Sequence, residues 1–452
     1  MKILIRDDYL GISDFSKSDL INIKEEFSEK DLSLAITKNG FDKRKIKNVC
    51  FARQAGENLI LRTGFLKDLV ELCKKEDIKI TEIKDIRTKF PHQKKDYSYE
   101  ELKSYFDPKF KYVDHQIRAV KAMLKTNVGI CKLPTSAGKS TILSVFLRMT
   151  NLSTLIIVDG VTLSEQLRES LIEDGIDCGI CHGKTKIIKP VMVSTMGSVK
   201  KIPDFTKFQC LVIDEVHGAA ARTYQEFLSI TNFPLRFGLS ATPEGNSPFR
   251  WITIRQFLGN IISETHSDEL MDNDVITPPE IHFKKVDCKP TMDWESAYEK
   301  NIVFNDERNK MAIDLAKNDD GSVLILFKLI EHGELLSKAL PESILLHGDH
   351  SIKERKEAVD KFKNGEVRIL IASNIFKQGI SINNIETLIN VSGGKSKIEV
   401  LQKLGRALRK HKGKEKALIY DFMDTGNRFT EGHSLKRMSL YKKAGYTDIH
   451  ED

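Results

Sequence analysis

Cysteine is scarce in this chain. Seven in 452 residues is an odd and thin count, so a disulfide scaffold is excluded and a reducing cytoplasm is the expected compartment. No run of 18 apolar residues occurs, which excludes a membrane-spanning helix. The opening MKILIRDDYLG turns acidic before any long apolar stretch, so no secretory signal is expected. Internal repeats and low-complexity tracts are missing too. The aromatic residues form no stripe interleaved with basic ones, so an extended single-strand stacking platform is not indicated. Cys178 and Cys181 have CxxC spacing, but no second pair completes a zinc set, and no structural metal is expected.

What is present fits a globular protein. Hydrophobic residues make up 40% and charged residues 30%, enough for real cores, and the length allows two to four domains. The net charge is only +7, but Gly393 to Lys443 holds 14 Lys/Arg against 5 Asp/Glu. Such a run suits a polyanion partner or a solvated helix face.

Residues 1–95 read as a small α+β domain. A hairpin is expected from Val49 to Arg62 around Ala55-Gly56-Glu57-Asn58. Helical spacing follows from Phe65 to Lys74, and strand alternation from Ile78 to Ile83. The polar stretch from Phe90 to Tyr99 reads as a linker. From Val128 short apolar runs alternate with amphipathic helices, as buried parallel strands do. These runs are 128–133, 154–158, 191–194, 210–213 and 235–239. Thr277-Pro278-Pro279 breaks the series, and a second one follows at 323–327, 343–346, 368–372, 387–391 and 417–420. The expected fold class is therefore α/β, with two tandem parallel-sheet domains (96–270 and 271–425) and a basic tail (426–452).

The chemistry lies between the runs. Leu133-Pro134-Thr135-Ser136-Ala137-Gly138-Lys139-Ser140 follows an apolar strand and opens a helix. It fits a phosphate-binding loop apart from Leu133 in place of the first glycine. Backbone N–H groups and a helix N-terminus face the phosphates, Gly138 permits close approach, Lys139 reaches the β/γ-phosphates and Ser140 can hold Mg²⁺. Cys210-Leu211-Val212-Ile213 ends in Asp214-Glu215-Val216-His217. A carboxylate at that strand end can share Mg²⁺ with Ser140, and Glu215 can position or deprotonate a water.

In this order the motifs resemble those of the superfamily 2 helicases, whose two RecA-like domains hold ATP between them. The likeness covers roughly residues 110–425, and His217 keeps the DExH form. It implies that Gln116 reads adenine and that Ser240-Ala241-Thr242 couples nucleotide state to the nucleic-acid site. It implies that Gln402 faces the nucleotide while Arg406 and Arg409 reach the γ-phosphate. It also implies that the segment Ala372 to Ser381, with Gly379, touches ATP and the strand. Within the superfamily the strings Leu133 to Gly138, Gly238-Leu239-Ser240, Lys395-Ser396-Lys397-Ile398 and Leu404 to His411 resemble the bacteriophage UvsW-type branched-DNA helicases. ATP and Mg²⁺ are then the implied cofactors. The implied partner is single-stranded, forked or branched DNA in replication, recombination or repair.

A motor that ignores sequence should grip phosphates, and Thr195, Lys328, Ser373 and Lys377 are the candidates. His433, Arg437 and Tyr441 recur every fourth residue and form one helical stripe, a further candidate strand contact. Residues 1–95, with Arg53 and Arg62 beside the hairpin, are a candidate substrate domain. Three other functions fit part of this pattern: an RNA helicase, a duplex translocase of restriction type that does not unwind, and a nucleotide-gated binding module without turnover.

Overall fold

The computed structural model describes residues 1–452 except 32–35, 38–39, 42–45, 110–111, 246, 374–381, 383, 397–399, 401–404, 406 and 411–413, and the side chains of 36, 37, 40, 41 and 352. It divides into two units, residues 1–133 with 138–264, and residues 134–137 with 265–452.

The first unit opens with a sheet ordered Arg53–Ala55, Asn58–Arg62, Tyr9–Ser13, Lys2–Ile5, Glu82–Asp85. The expected hairpin forms over Arg53–Arg62, with Gly56 at φ +62° in the turn, while Val49 pairs instead with Glu29 in a separate ladder. The expected helix forms over Leu66–Lys75 and buries Leu69, Leu72 and Cys73. The strand expected at 78–83 is displaced to Glu82–Asp85, parallel to Lys2–Ile5. Ile78 and Ile80 pack on the small core instead, so their alternation reports burial and not a ladder.

The expected linker is not one. Phe90, His92 and Tyr97 are buried, and residues Pro91–Lys94 form a helical turn. The Gln93 side chain donates to Asn127 Oδ1 at 3.3 Å. Lysines between these anchors give the stretch its polar look.

The small sheet packs on the following domain through buried polar groups. Arg236, 1% exposed, donates to the Asp7 carbonyl at 2.7 Å. Arg62 lies 4.9 Å over the Phe257 ring and donates to the Ser229 carbonyl. It is therefore engaged in this packing. Asp68 pairs with Arg255 and accepts from Asn260 at 3.2 Å. Ile252 belongs to the small domain's apolar cluster.

Beyond this lies an eight-stranded sheet ordered Thr185–Ile187, Cys178–His182, Val191–Thr195, Thr154–Val158, Cys210–Asp214, Leu235–Ser240, Val128–Lys132, Ile261–Glu264 among the described residues. All neighbours are parallel except the first pair. Thr154–Val158 is buried at every position, as a strand covered on both faces must be. Cys178 and Cys181 sit three apart on one strand, so they point to opposite faces, and burial pushes the Cys178 thiol up to about 11.

The second unit holds a seven-stranded parallel sheet ordered Ile344–Leu346, Ile369–Ala372, Val323–Leu326, Thr387–Asn390, Ala417–Thr425, Pro279–Asp287, Ile449–Glu451 among the described residues. The break read at 277–279 is the start of a nine-residue strand. Proline is tolerated there because a first residue need not donate to the ladder.

The tail needs the largest correction. Residues Arg428–Lys443 are helical, as the spacing predicts, but the stripe faces inward. Arg437 is fully buried, with Nε 3.0 Å from Asp421 Oδ1. Its Nη1 donates to the Gly394 carbonyl at 2.9 Å and its Nη2 to the Phe422 carbonyl at 2.8 Å. Tyr441 is 2% exposed and donates to Asp421 Oδ2 at 2.8 Å. His433 packs at a tilt against Trp294, with ring centroids 4.0 Å apart. Burial, with Lys395, Arg437 and Lys328 adding to it, lowers His433 to about 4, so near neutral pH it offers no positive charge to a phosphate. A polar residue every fourth position marks a face, and here buried Asp421 and Asp424 supply the counter-charge to Arg437.

Candidate nucleotide site in the first unit

The site grows from three neighbouring strands. Val128–Lys132, Leu235–Ser240 and Cys210–Asp214 are adjacent and parallel, so their carboxyl ends open on one edge, where α/β sheets bind ligands. After the first strand come Pro134, Thr135, Ser136 and Ala137, and then the helix Lys139–Thr150. Ser136 and Gly138 have φ of +72° and +77°, the left-handed region that glycine enters without cost and serine rarely adopts. A Cβ on Gly138 would collide with Gln116 Nε2, so Gln116, 9% exposed, lies against the loop.

The charged centre is compact. Lys139 Nζ is 2.6 Å from Glu215 Oε1 and 3.5 Å from Asp214 Oδ1. Burial would lower the lysine, but the two carboxylates outweigh it and hold it above its ordinary range. Burial also pushes against the charged form of Glu215. The Lys139 charge and the His217 contact outweigh that and keep Glu215 well below the usual carboxylate range. Asp214 is pushed up by burial, with Lys139 opposing. Its Oδ1 is buried with the Lys139 ammonium 3.5 Å away. That oxygen, with the exposed Ser140 at the helix start, is the oxygen donor set that Mg²⁺ prefers.

Glu215 has φ +48°. A non-glycine residue held there costs of order 1–3 kcal/mol, and such strain clusters at functional positions. Its other oxygen, Oε2, accepts from Ser240 Oγ at 3.1 Å and lies 3.3 Å from His217 Nδ1. Ser240 Oγ is also 3.2 Å from His217 Nδ1 and accepts from the Thr242 amide at 3.2 Å. Ser240 and Thr242 are buried and Ala241 is half-buried. The expected coupling segment thus touches the expected catalytic glutamate directly. This triangle was missed in the sequence, where His217 two residues after Glu215 was the available sign.

Of the remaining expected residues, Thr195 belongs to the first unit and Ser373, Lys328 and Arg409 to the second. Thr195 ends its strand half-buried. Ser373 follows Ile369–Ala372 and is 8% exposed. Lys328 is exposed, 5.2 Å over the Tyr298 ring. Arg409 is half-buried in a bridge to Ile276, with burial lowering its pKa. Gln402, Arg406, Gly379 and Lys377 lie outside the described residues.

Known proteins share this layout. Residues 109–245 match the family model "Type III restriction enzyme, res subunit", and residues 307–411 match "Helicase conserved C-terminal domain". The chain is 29% identical over 331 residues to the ATP-dependent DNA helicase uvsW of Enterobacteria phage T4, covering 66% of this chain and 65% of that protein. It is 25% identical over 355 residues to the DNA 3'-5' translocase XPB2 of Sulfurisphaera tokodaii, covering 68% of this chain and 80% of that one. In fold it is similar to S. cerevisiae Dbp5 bound to RNA and ADP BeF3, with a TM-score of 0.54 and 17% identity over 78% of this chain and 95% of that one. With its α/β parallel sheets and both family models matched in order, the chain resembles the superfamily 2 helicases.

Proposed function

We propose that this protein is an ATP-driven DNA helicase or translocase that moves along DNA and unwinds or remodels forks and junctions. The observation that carries the reading is the Lys139–Glu215–Ser240 connection. One glutamate pairs with the phosphate-loop lysine and also accepts from the coupling serine. Lys139 would hold the β/γ-phosphates and so release Glu215 to orient or deprotonate the attacking water. Gln116 would read the adenine. Asp214 Oδ1 and Ser140 would hold Mg²⁺, which neutralises developing phosphate charge. Arg406 and Arg409 would stabilise the transferring phosphoryl group, and Gln402 and Gly379 would line the nucleotide.

Ser240 and His217 report the state of Glu215 to the segment that follows, so hydrolysis and strand grip are linked. Thr195, Lys328, Ser373 and Lys377 remain the proposed phosphate contacts. DNA is favoured over RNA because the relatives that match most of the chain are named DNA enzymes. The proposed compartment is the cytoplasm, and no helix among the described residues is long and apolar enough to cross a membrane.

ATP hydrolysis measured with single-stranded DNA, duplex, fork, four-way junction and RNA at one salt concentration tests the reading. Salt must be fixed because phosphate binding depends steeply on it. Fork or junction DNA should stimulate most, with strand displacement. Stimulation by RNA alone would overturn it in favour of an RNA helicase. Duplex stimulation without displacement would favour the restriction-type translocase.

A further inference from the structure

The outer edge of the second unit's sheet carries a cluster that the motor does not use. The edge strand Ile449–Glu451 pairs in parallel with Pro279–Asp287 and sets His450 directly opposite His282. Glu280 is two residues before His282, so it shares that face. Ligand atoms of Glu280, His282 and His450 all lie within 4.8 Å of one another.

The contacts around the two rings have the form found at metal centres. His282 Nδ1 lies 2.7 Å from Asp452 Oδ2, and its Nε2 lies 3.1 Å from Glu280 Oε1. His450 Nε2 lies 2.7 Å from Asp448 Oδ1. Each ring thus has one nitrogen fixed by an aspartate, which orients the other nitrogen, as carboxylates behind metal-bound histidines do. The 3.1 Å between His282 Nε2 and Glu280 Oε1 is close to the roughly 3.3 Å edge of a tetrahedron with zinc bonds of about 2.0–2.1 Å.

Charge agrees. Glu280, Asp448 and Asp452 face two ammonium groups, Lys284 at 2.8 Å from Asp452 and Lys416 at 2.9 Å from Glu280. Three negative charges against two positive leave one negative charge, which a divalent cation reverses. The His450 side chain is 46% exposed, so an ion can enter from solvent. Imidazole with carboxylate selects a zinc-like transition ion over Mg²⁺ or Ca²⁺.

We propose that Glu280, His282 and His450 bind a zinc-class divalent ion, oriented by Asp452 and Asp448, and that this ion fastens the last strand to the sheet. Water completes the coordination.

The test uses the full chain without a polyhistidine tag. Cobalt(II) serves as a visible-absorption probe, and melting is followed with zinc, with magnesium and with EDTA. Ligand-field absorption saturating at one equivalent of cobalt is expected, reversed by zinc. Zinc should raise the melting temperature and magnesium should not. His450→Ala should abolish the absorption while its melting temperature in EDTA matches wild type. Asp452→Asn should weaken cobalt binding by roughly 10–100-fold. No absorption on adding cobalt, or absorption that survives both His282→Ala and His450→Ala, overturns the proposal. His450 is the more exposed ligand, so its variant tests the site even where His282→Ala fails to fold.

Discussion

Lys139 and Glu215 form a 2.6 Å ion pair in which each side chain is less than a quarter exposed. The phosphate ligand and the water-activating carboxylate therefore hold one another. A phosphate oxygen that recruits the lysine frees the glutamate, so substrate binding and activation of the base are one exchange of partners.

Lys139→Ala should abolish ATP turnover and also lower stability, because two buried carboxylates lose their cation. Removing one partner of a fully buried pair costs about 3–5 kcal/mol, and the partial exposure here brings the expected loss below that range. Adding Glu215→Gln should recover part of the melting temperature and none of the activity. Calorimetry beside an ATPase assay checks this, and wild-type turnover in Lys139→Ala would remove the phosphate-loop assignment.

Arg437→Ala should unfold the second unit far more readily and leave the salt dependence of DNA binding unchanged. The reason is its burial between Asp421 and Asp424. Lys436→Ala, on the exposed side of the same helix, should change stability by under about 0.5 kcal/mol. A flatter salt slope with an unchanged melting temperature would restore the strand-contact reading.

Acid should destabilise the second unit through His332. The ring is fully buried, with Nε2 2.8 Å from Asn309 Oδ1, and burial, reinforced by the Arg308 charge, lowers it to about 3. Between that value and the ordinary 6.5 the unfolded chain binds a proton that the folded chain refuses. Stability therefore rises with pH across that window and is lost as pH falls through it, by up to about 1.4 kcal/mol per pH unit for one proton. His332→Gln keeps a donor for Asn309 and should flatten the slope between pH 6 and 4 in urea titrations. An equal slope in the variant would place the acid sensitivity elsewhere.

Removing residues 1–95 should give insoluble protein or a melting temperature several degrees lower, with loss on every substrate. Arg236 would lose the Asp7 carbonyl, Arg255 would lose Asp68, and Ile252 would lose its apolar cover. Each lost kcal/mol shifts melting by roughly 2–4 °C in a unit of this size. Soluble truncated protein with full ATPase and a selective fork defect would instead make these residues a substrate module.

The sheets were legible where burial alone determines the pattern. Leu155–Val158 and Ile369–Ala372 are continuous apolar runs buried at every position, and such runs cannot be solvent loops. The phosphate loop and Asp214-Glu215 were legible because their chemistry needs fixed residue types at strand ends. The tail was not. Arg437 and Tyr441 look like a polar stripe until Asp421 and Asp424, buried on a neighbouring strand, are seen to neutralise it. Nothing local distinguishes a buried guanidinium from an exposed one. Phe90, His92 and Tyr97 failed to show for a related reason, since the lysines between them dominate the composition. The His217–Ser240 contact joins residues 23 apart, and only the parallel register of the strand before His217 with the strand that ends at Ser240 brings them together.

The bond from Arg236 to the Asp7 carbonyl spans 229 positions, and that separation has a consequence for synthesis. At about 5–20 residues per second, the first strands wait roughly 10–50 s after leaving the ribosome for the residue that completes their interface. During that interval Ile252 and Arg255 are not yet made, and the surface that will receive them is bare. The small domain must hold its own fold on fifteen buried apolar side chains, or a chaperone must shield it. A ribosome pausing before residue 236 would lengthen this exposure, while the same pause after residue 264 would find the first unit already whole.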